Sequence, residues 1–490
     1  MLALAVVVAA AGGVGLWRLA RSAVKRRLRV AARRTIRRFE LRLERYRLVS
    51  RRLVREQLLR DPAIQAAIQR HATDHRLPEL EVRVRVERYV DEIVPFFDVL
   101  SYYRVGYNVA RTALRLLYRV TSEYQDRTAL DAIPRRDVVV YLMNHRSNAD
   151  YVVVAFILAR GVSISYAVGE WARVWPLEYV FKTFGAYFVR RRFREPLYHT
   201  VLERYVQQIT TNGVTQGIFL EGALSRDGAL RPPKLGLLDY IARTLLHPNF
   251  DRDIWLVPVA LNYDRVLEDR ALIRELVDAP AQSRVRQAAG VMRYLVMNTA
   301  RLIAGRLERY GRVAVNFGTP LSLRAWASGH PGALQADRTT RLAQLSGVAD
   351  EIMRRLAAIM PVTPVPLAAA ALLSFGQSLV RRADLVDRLD WYCDHLTRTG
   401  AKLVRVDGAG DAIVVQAARL LGMRRLLVPE GDAYVILPGQ RPLLEYYANS
   451  IRHLLPVLPR DSGGHPALEP DASLPRLGDT AERQKRQGGW

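Results

Sequence analysis

Of 490 residues only one is a cysteine, Cys393. No intramolecular disulfide can form, and a thiolate metal cluster is out of reach. The lone thiol lies in LVDRLDWYCDHL, whose apolar spacing is helical, which favours a buried structural role over that of a nucleophile. Acid is scarce as well: 48 Asp and Glu stand against 74 Lys and Arg, a formal net charge of +26. A field of that sign draws anionic partners such as nucleic acid, phosphorylated metabolites or acidic lipid. Nucleic acid fits worst, because the basic residues spread along helices without the interleaved stacking aromatics of a binding module. Long apolar runs are few, and LAAAALLSF is too short to span a bilayer, so it reads as a buried helix.

What is present begins at the N-terminus. The first 17 residues, MLALAVVVAAAGGVGLW, carry no charge, and Arg18 to Arg38 then holds ten basic residues and no acid. A cleavable signal would carry its basic residues first. With them second, the reading is an uncleaved anchor in the cell membrane with the body on the cytoplasmic side, or an interfacial helix, since the run is at the short limit for spanning.

Organisation follows from periodicity. Residues 1–20 read as the anchor and 21–131 as a basic helical region, its apolar residues recurring at threes and fours in VERYVDEIVPFFDVL. From 132 to 360, short apolar runs (VVVYLM, VSISYAV, GIFL, IWLVPVAL, VAVNF) alternate with helical stretches, which predicts an α/β domain with a largely parallel sheet and its site at the strand ends. Residues 361–458 read as a smaller C-terminal helical unit with short strands, including LLVPEGDAYVIL, and 459–490 as a disordered tail.

Four strand-end stretches carry candidate chemistry. In MNHRSNADY, His145 and Asp150 follow the strand VVVYLM and precede the helix YVVVAFILA. Taken alone, the turn reads first as a helix cap through Ser147 or Asn148, with Asp150 in the first helical turn, and second as a general base oriented by a carboxylate. Next, FGAYFVRRR ends in Arg190, Arg191 and Arg192, cations suited to a phosphate or to a solvated edge. In GIFLEGALSRDGALRPPK, Glu221, Gly222, Ser225, Arg226 and Lys234 crowd one loop; a turn explains the glycines but not an acid that closes an apolar strand. In IWLVPVALNYD, Pro258 falls inside an apolar strand, where proline suits an edge or a bulge.

In this order and spacing the four stretches, Val138 to Tyr263, resemble the glycerol-3-phosphate acyltransferase family, including its dihydroxyacetone-phosphate relatives, with a looser echo in LLEYYANSIRHLL. The resemblance implies an α/β domain beside helices and no metal or organic cofactor. It implies His145 as base with Asp150 as its partner, and Arg190, with Arg191 as second choice, for phosphate. It further implies Glu221, Gly222, Ser225 and Arg226 for the acceptor, and Pro258 at the acyl donor. The expected partners are membrane lipids, glycerol 3-phosphate, and acyl-CoA or acyl carrier protein, with the oligomeric state left open. One departure bears on the acceptor: Leu224 stands where the family usually has arginine, which keeps dihydroxyacetone phosphate or a lysophospholipid as alternatives.

Overall fold

The structure, a computed structural model, describes residues 51–96, 106–159, 164–169, 173, 177–190, 193–277, 309–404, 410–423, 425–437 and 439–456. The expected anchor (1–20), its basic flank, the expected disordered tail (459–490) and Arg191 lie outside them. Among the described residues no helix is long and apolar enough to cross a membrane.

In chain order the first eight strands are β1 (Arg119–Tyr124), β2 (Val138–Met143), β3 (Ser165–Gly169), β4 (Tyr187–Val189), β5 (Gln216–Phe219), β6 (Ile254–Tyr263), β7 (Arg312–Phe317) and β8 (Leu321–Ser322). The chain divides into two compact units, one of residues Met1–Ala113 and Val154–Tyr205, the other of Leu114–Val153 and Val206–Trp490.

The first unit contains the helices Arg51–Leu59, Pro62–His75 and Glu79–Ile93 and the parallel pair β3–β4. Asp61 starts the second helix: its Oδ1 accepts the N–H groups of Ala63 and Ile64, and Pro62 supplies a preset φ at the first helical position. Val82, Val86, Tyr89, Val90 and Ile93, spaced by threes and fours, bury one face of the third.

The second unit is built on a sheet in the order β1-β7-β6-β2-β5, with β8 beside β6. The pairs β2–β5, β2–β6 and β1–β7 are parallel, whereas β6–β7 and β6–β8 are antiparallel. This is the α/β, largely parallel architecture expected. VVVYLM is apolar throughout because β2 is central and all six residues are buried. PVPLAAAALLS forms the helix Pro364–Ser374 with Pro364 to Leu373 all buried, and its alanines let it pack closely among neighbours. The short strands expected in LLVPEGDAYVIL are Leu427–Glu430 and Ala433–Ile436, which pair as an antiparallel hairpin.

Two expectations are corrected. The helical pattern read through to residue 131 breaks at β1, because RVTSEY sits at the sheet's rim with an exposed or half-exposed face and pairs with β7, a partner nearly 200 residues away that no local pattern shows. Pro258 is not at an edge: β6 lies between β2 and β7, with Pro258 opposite Leu142. Its carbonyl accepts the Gly318 N–H at 2.9 Å, so its nitrogen faces the same side, where β7 ends at Phe317 and β8 begins at Leu321. The ladder is interrupted there, so proline's missing donor falls beyond the last residue of β7.

Cys393 lies in the helix Arg382–Arg398, half-buried rather than buried. Burial, with Asp390 and Asp394 nearby, pushes its thiol up to about 11, which keeps it protonated and unreactive at neutral pH.

Candidate active site

Because β5, β2 and β6 run parallel, their carboxyl ends emerge at one side of the sheet, where α/β folds gather their chemistry. Phe219, Met143 and Val259 are level across the three strands, and β6 continues four residues further, to Tyr263. Just past Met143, the Asn144 side chain extends the ladder: its amide nitrogen donates to the Leu261 carbonyl at 2.9 Å and its oxygen accepts the Leu261 N–H at 2.8 Å. That clip sets where the next residue emerges.

The next residue is His145, 1% exposed, its Nδ1 2.9 Å from Asp150 Oδ2. The same oxygen accepts the N–H groups of Arg146 (2.7 Å) and Ser147 (2.9 Å), while Oδ1 accepts the Tyr263 hydroxyl at 2.5 Å. Asp150 is the first residue of the helix Asp150–Leu158, where the helix dipole favours an acid, and from there it reaches the imidazole. Four donors converge on a carboxylate that is 0% exposed, which is how a buried anion is kept. Burial, and next the Asp150 charge, pushes the Tyr263 phenol well above its ordinary range, so Tyr263 remains a donor. The imidazole stacks on Phe219 at 3.9 Å, fixing its plane.

The loop after β5 is stitched to this turn, the Ser225 N–H donating to the His145 carbonyl at 2.9 Å. Glu221 is buried, and burial pushes its carboxyl well above the usual range against the pull of Arg146 and Arg231. Its Oε2 has no hydrogen-bond partner among the described residues, nor do Nε and Nη2 of Arg146, itself only 2% exposed. The Arg146 guanidinium donates through Nη1 to the Gly228 carbonyl and lies over the Tyr446 ring at 4.8 Å. Gly222 has φ +71°, and an added Cβ would meet Lys234 Cγ at 2.9 Å. Ser225 Oγ is turned inward, 2.7 Å from the Ala229 carbonyl, whereas Arg226 and Lys234 are exposed. The Leu224 carbonyl accepts from Arg231 Nη1 at 3.2 Å.

Arg190 belongs to the first unit. It follows β4, and its Nε and Nη2 bind Glu92 at 2.8 and 2.5 Å, the guanidinium being enclosed by Tyr89, Phe193 and Tyr198. Arg173 shares the same carboxylate at 2.8 Å. An anion would reach Arg190 through Nη1 or by displacing Glu92. Glu92→Gln, which strips the charge from both pairs, is expected to cost roughly 2 kcal/mol, less than a fully buried pair because both arginines are a quarter exposed. An unchanged urea midpoint would contradict that.

Sequence reasoning missed Asn144, Arg146, Tyr263 as an Asp150 partner, and Glu268, whose carboxylate also reaches this turn. Asn144 and Arg146 flank His145 and were legible as polar residues directly after a buried strand. Tyr263 and Glu268 come from more than 110 residues downstream, with no local signal.

Residues 126–262 match the family model described as Acyltransferase, and residues 297–457 that of the glycerol-3-phosphate acyltransferase C-terminal region. The glycerol-3-phosphate acyltransferase of Shewanella woodyi is 28% identical over 408 residues, covering 80% of this chain and 49% of that protein. That of Aeromonas hydrophila subsp. hydrophila is 28% identical over 403 residues, covering 80% and 48%. The chain thus spans about half the length of the curated relatives it matches. Among solved structures, the 1-acyl-sn-glycerophosphate (LPA) acyltransferase PlsC from Thermotoga maritima aligns at 17% identity with a TM-score of 0.31, covering 52% of this chain and 80% of that one, a likeness too slight to decide anything here. The two family matches and the curated relatives show that this chain is similar to the glycerol-3-phosphate acyltransferases.

Proposed function

We propose that this chain transfers a fatty acyl group from a thioester, acyl-CoA or acyl carrier protein, to the sn-1 hydroxyl of glycerol 3-phosphate, forming lysophosphatidic acid and a free thiol. The observation that carries this reading is the buried His145–Asp150 pair at the end of a central parallel strand. With Nδ1 committed to Asp150, the base is His145 Nε2. It removes the hydroxyl proton as that oxygen attacks the thioester carbonyl; the C–O bond forms, the C–S bond breaks, and the imidazolium returns the proton to the thiolate. A thiol of pKa about 8 to 9 leaves readily, so no covalent acyl-enzyme and no resident cofactor are needed. Asp150 stabilises the imidazolium, and the Tyr263 hydroxyl steadies Asp150.

Acceptor recognition is assigned to the loop after β5. Glu221 is the candidate partner for an acceptor hydroxyl, and Arg146 and Arg231, which act on it electrostatically, supply positive charge where Leu224 does not. That favours an anionic acceptor over a neutral one. The same chemistry on dihydroxyacetone phosphate or a lysophospholipid is the second reading, kept by Leu224. Attachment to the cytoplasmic face of the cell membrane through residues 1–20 suits a lipid product.

The test is transfer of labelled acyl groups, from acyl-CoA and from acyl carrier protein, to a panel of acceptors by membranes containing the protein or its His145→Ala variant. Glycerol 3-phosphate is expected to be acylated by the former only. Transfer to another alcohol alone would reject the acceptor, and transfer by His145→Ala would reject the mechanism.

A further inference from the structure

One carboxylate at this strand edge has no part in the reaction as written. Glu268 lies five residues past the end of β6, where its Oε2 accepts the Ser147 hydroxyl at 2.7 Å and its Oε1 the Asn148 N–H at 3.2 Å. Asp150 holds the N–H groups of Arg146 and Ser147, so the two acids between them bind three consecutive backbone donors of the His145 turn. Glu268 is anchored in turn. Its carbonyl accepts the N–H groups of Ala271 and Leu272, opening the helix Asp269–Val277. Tyr447, on the helix Arg441–Asn449, donates its hydroxyl to Asp269 Oδ2 at 2.6 Å and accepts the Val266 N–H at 3.2 Å. The C-terminal echo LLEYYANS is therefore packed against the segment that carries Glu268.

We propose that Glu268 is a positioning residue for the His145–Asp150 pair, clamping Ser147 and Asn148 so that the turn holds its shape, with Tyr447 as its support. The kinetic part of this proposal rests on the acyl-transfer reading; the structural part does not.

Two donors bind a carboxylate better than a carboxylic acid, so the clamp is tightest when Glu268 is ionised. Burial first, then the Asp150 charge, pushes this carboxyl up to about 7, while the Ser147 and Asn148 bonds pull the other way. The titratable groups it interacts with are Asp150 on its helix, Tyr263 at the end of β6 and Tyr446 on the C-terminal helix, an acid and two phenols. The clamp loosens as pH falls through about 7.

The experiment uses the full chain in membranes. Glu268→Ala is expected to lower kcat about 10²-fold with both KM values little changed, the size of effect that slight misplacement of reacting groups produces. Glu268→Gln, which keeps one acceptor oxygen but cannot ionise, is expected to hold kcat near the level the unaltered chain shows below pH 7, well above Glu268→Ala, and to lose the Glu268 step from the kcat profile. Hydrogen exchange gives a readout that needs no activity: amides 146–148 are expected to exchange at least about tenfold faster in Glu268→Ala, while β2 keeps its protection. Unchanged exchange at 146–148 would overturn the clamp, as would a Glu268→Gln variant that is as impaired as Glu268→Ala. If the unaltered chain transfers no acyl group, the acyl-transfer reading fails, and if His145→Ala still transfers, the role of His145 fails; in either case the exchange result alone decides the role of Glu268.

Discussion

Asp150→Asn is expected to lower kcat about 10²- to 10⁴-fold while leaving the melting transition nearly in place. The reason lies in which donors meet which oxygen. Oδ2 takes three, from His145 Nδ1, Arg146 N and Ser147 N, and Oδ1 takes one, from Tyr263. An asparagine can put its oxygen where Oδ2 stands, and the Tyr263 hydroxyl can rotate to accept from the new amide. The turn then keeps its bonds. What disappears is the negative charge that stabilises an imidazolium, and with it the basicity of Nε2 in the step where the acceptor loses its proton. Kinetics in membranes with a parallel thermal melt checks this. A full-rate Asp150→Asn enzyme would show that Asp150 only holds the turn together, and a collapse of the melt would show that the turn needs the carboxylate to hold its bonds.

Gly228→Ala is expected to destabilise the second unit by roughly 3 kcal/mol and to remove activity with it. Gly228 has φ +87°, costly for any residue with a Cβ, and an added Cβ would lie 1.8 Å from the Tyr446 carbonyl oxygen. That oxygen belongs to helix backbone, which cannot swing aside as a flexible side chain would. The loop must retreat instead. It would surrender the Arg146 bond to the Gly228 carbonyl and the 3.0 Å bond from Asn449 Nδ2 to the Asp227 carbonyl, leaving Arg146 a buried cation with less to hold it. The urea midpoint reads the stability. A shift smaller than about 0.5 kcal/mol would show that loop and helix do not meet as closely as their contact implies.

These contacts mark where sequence reading runs out. The H-x4-D pair was legible because its geometry is local: five residues on a strand-to-helix turn bring an imidazole and a carboxylate together without help from elsewhere. The buried helix at 364–374 and the short strands at 427–436 were legible for the same reason, since composition acts over a few positions, whereas the pairing of those strands is read from the structure. Pro258 misled because proline was judged against an uninterrupted ladder, and the gap between β7 and β8 is created by a chain segment some 60 residues further on. Asp150 stands in the first helical turn, as its position in MNHRSNADY predicts, and one of its oxygens bonds both the backbone of the turn and the imidazole.

By itself, then, the sequence determined the class of fold, the turn that bears His145 and Asp150, and the order of the four strand-end segments, all governed by short-range periodicity and chain direction. Tertiary structure decided who surrounds that turn. Strand order brought Tyr263 and Glu268 to it, and the C-terminal helix brought Tyr446 against Arg146, 300 residues away in the chain. Such pairings depend on which buried faces pack together across the whole unit, a long-range outcome that no window of neighbouring residues encodes.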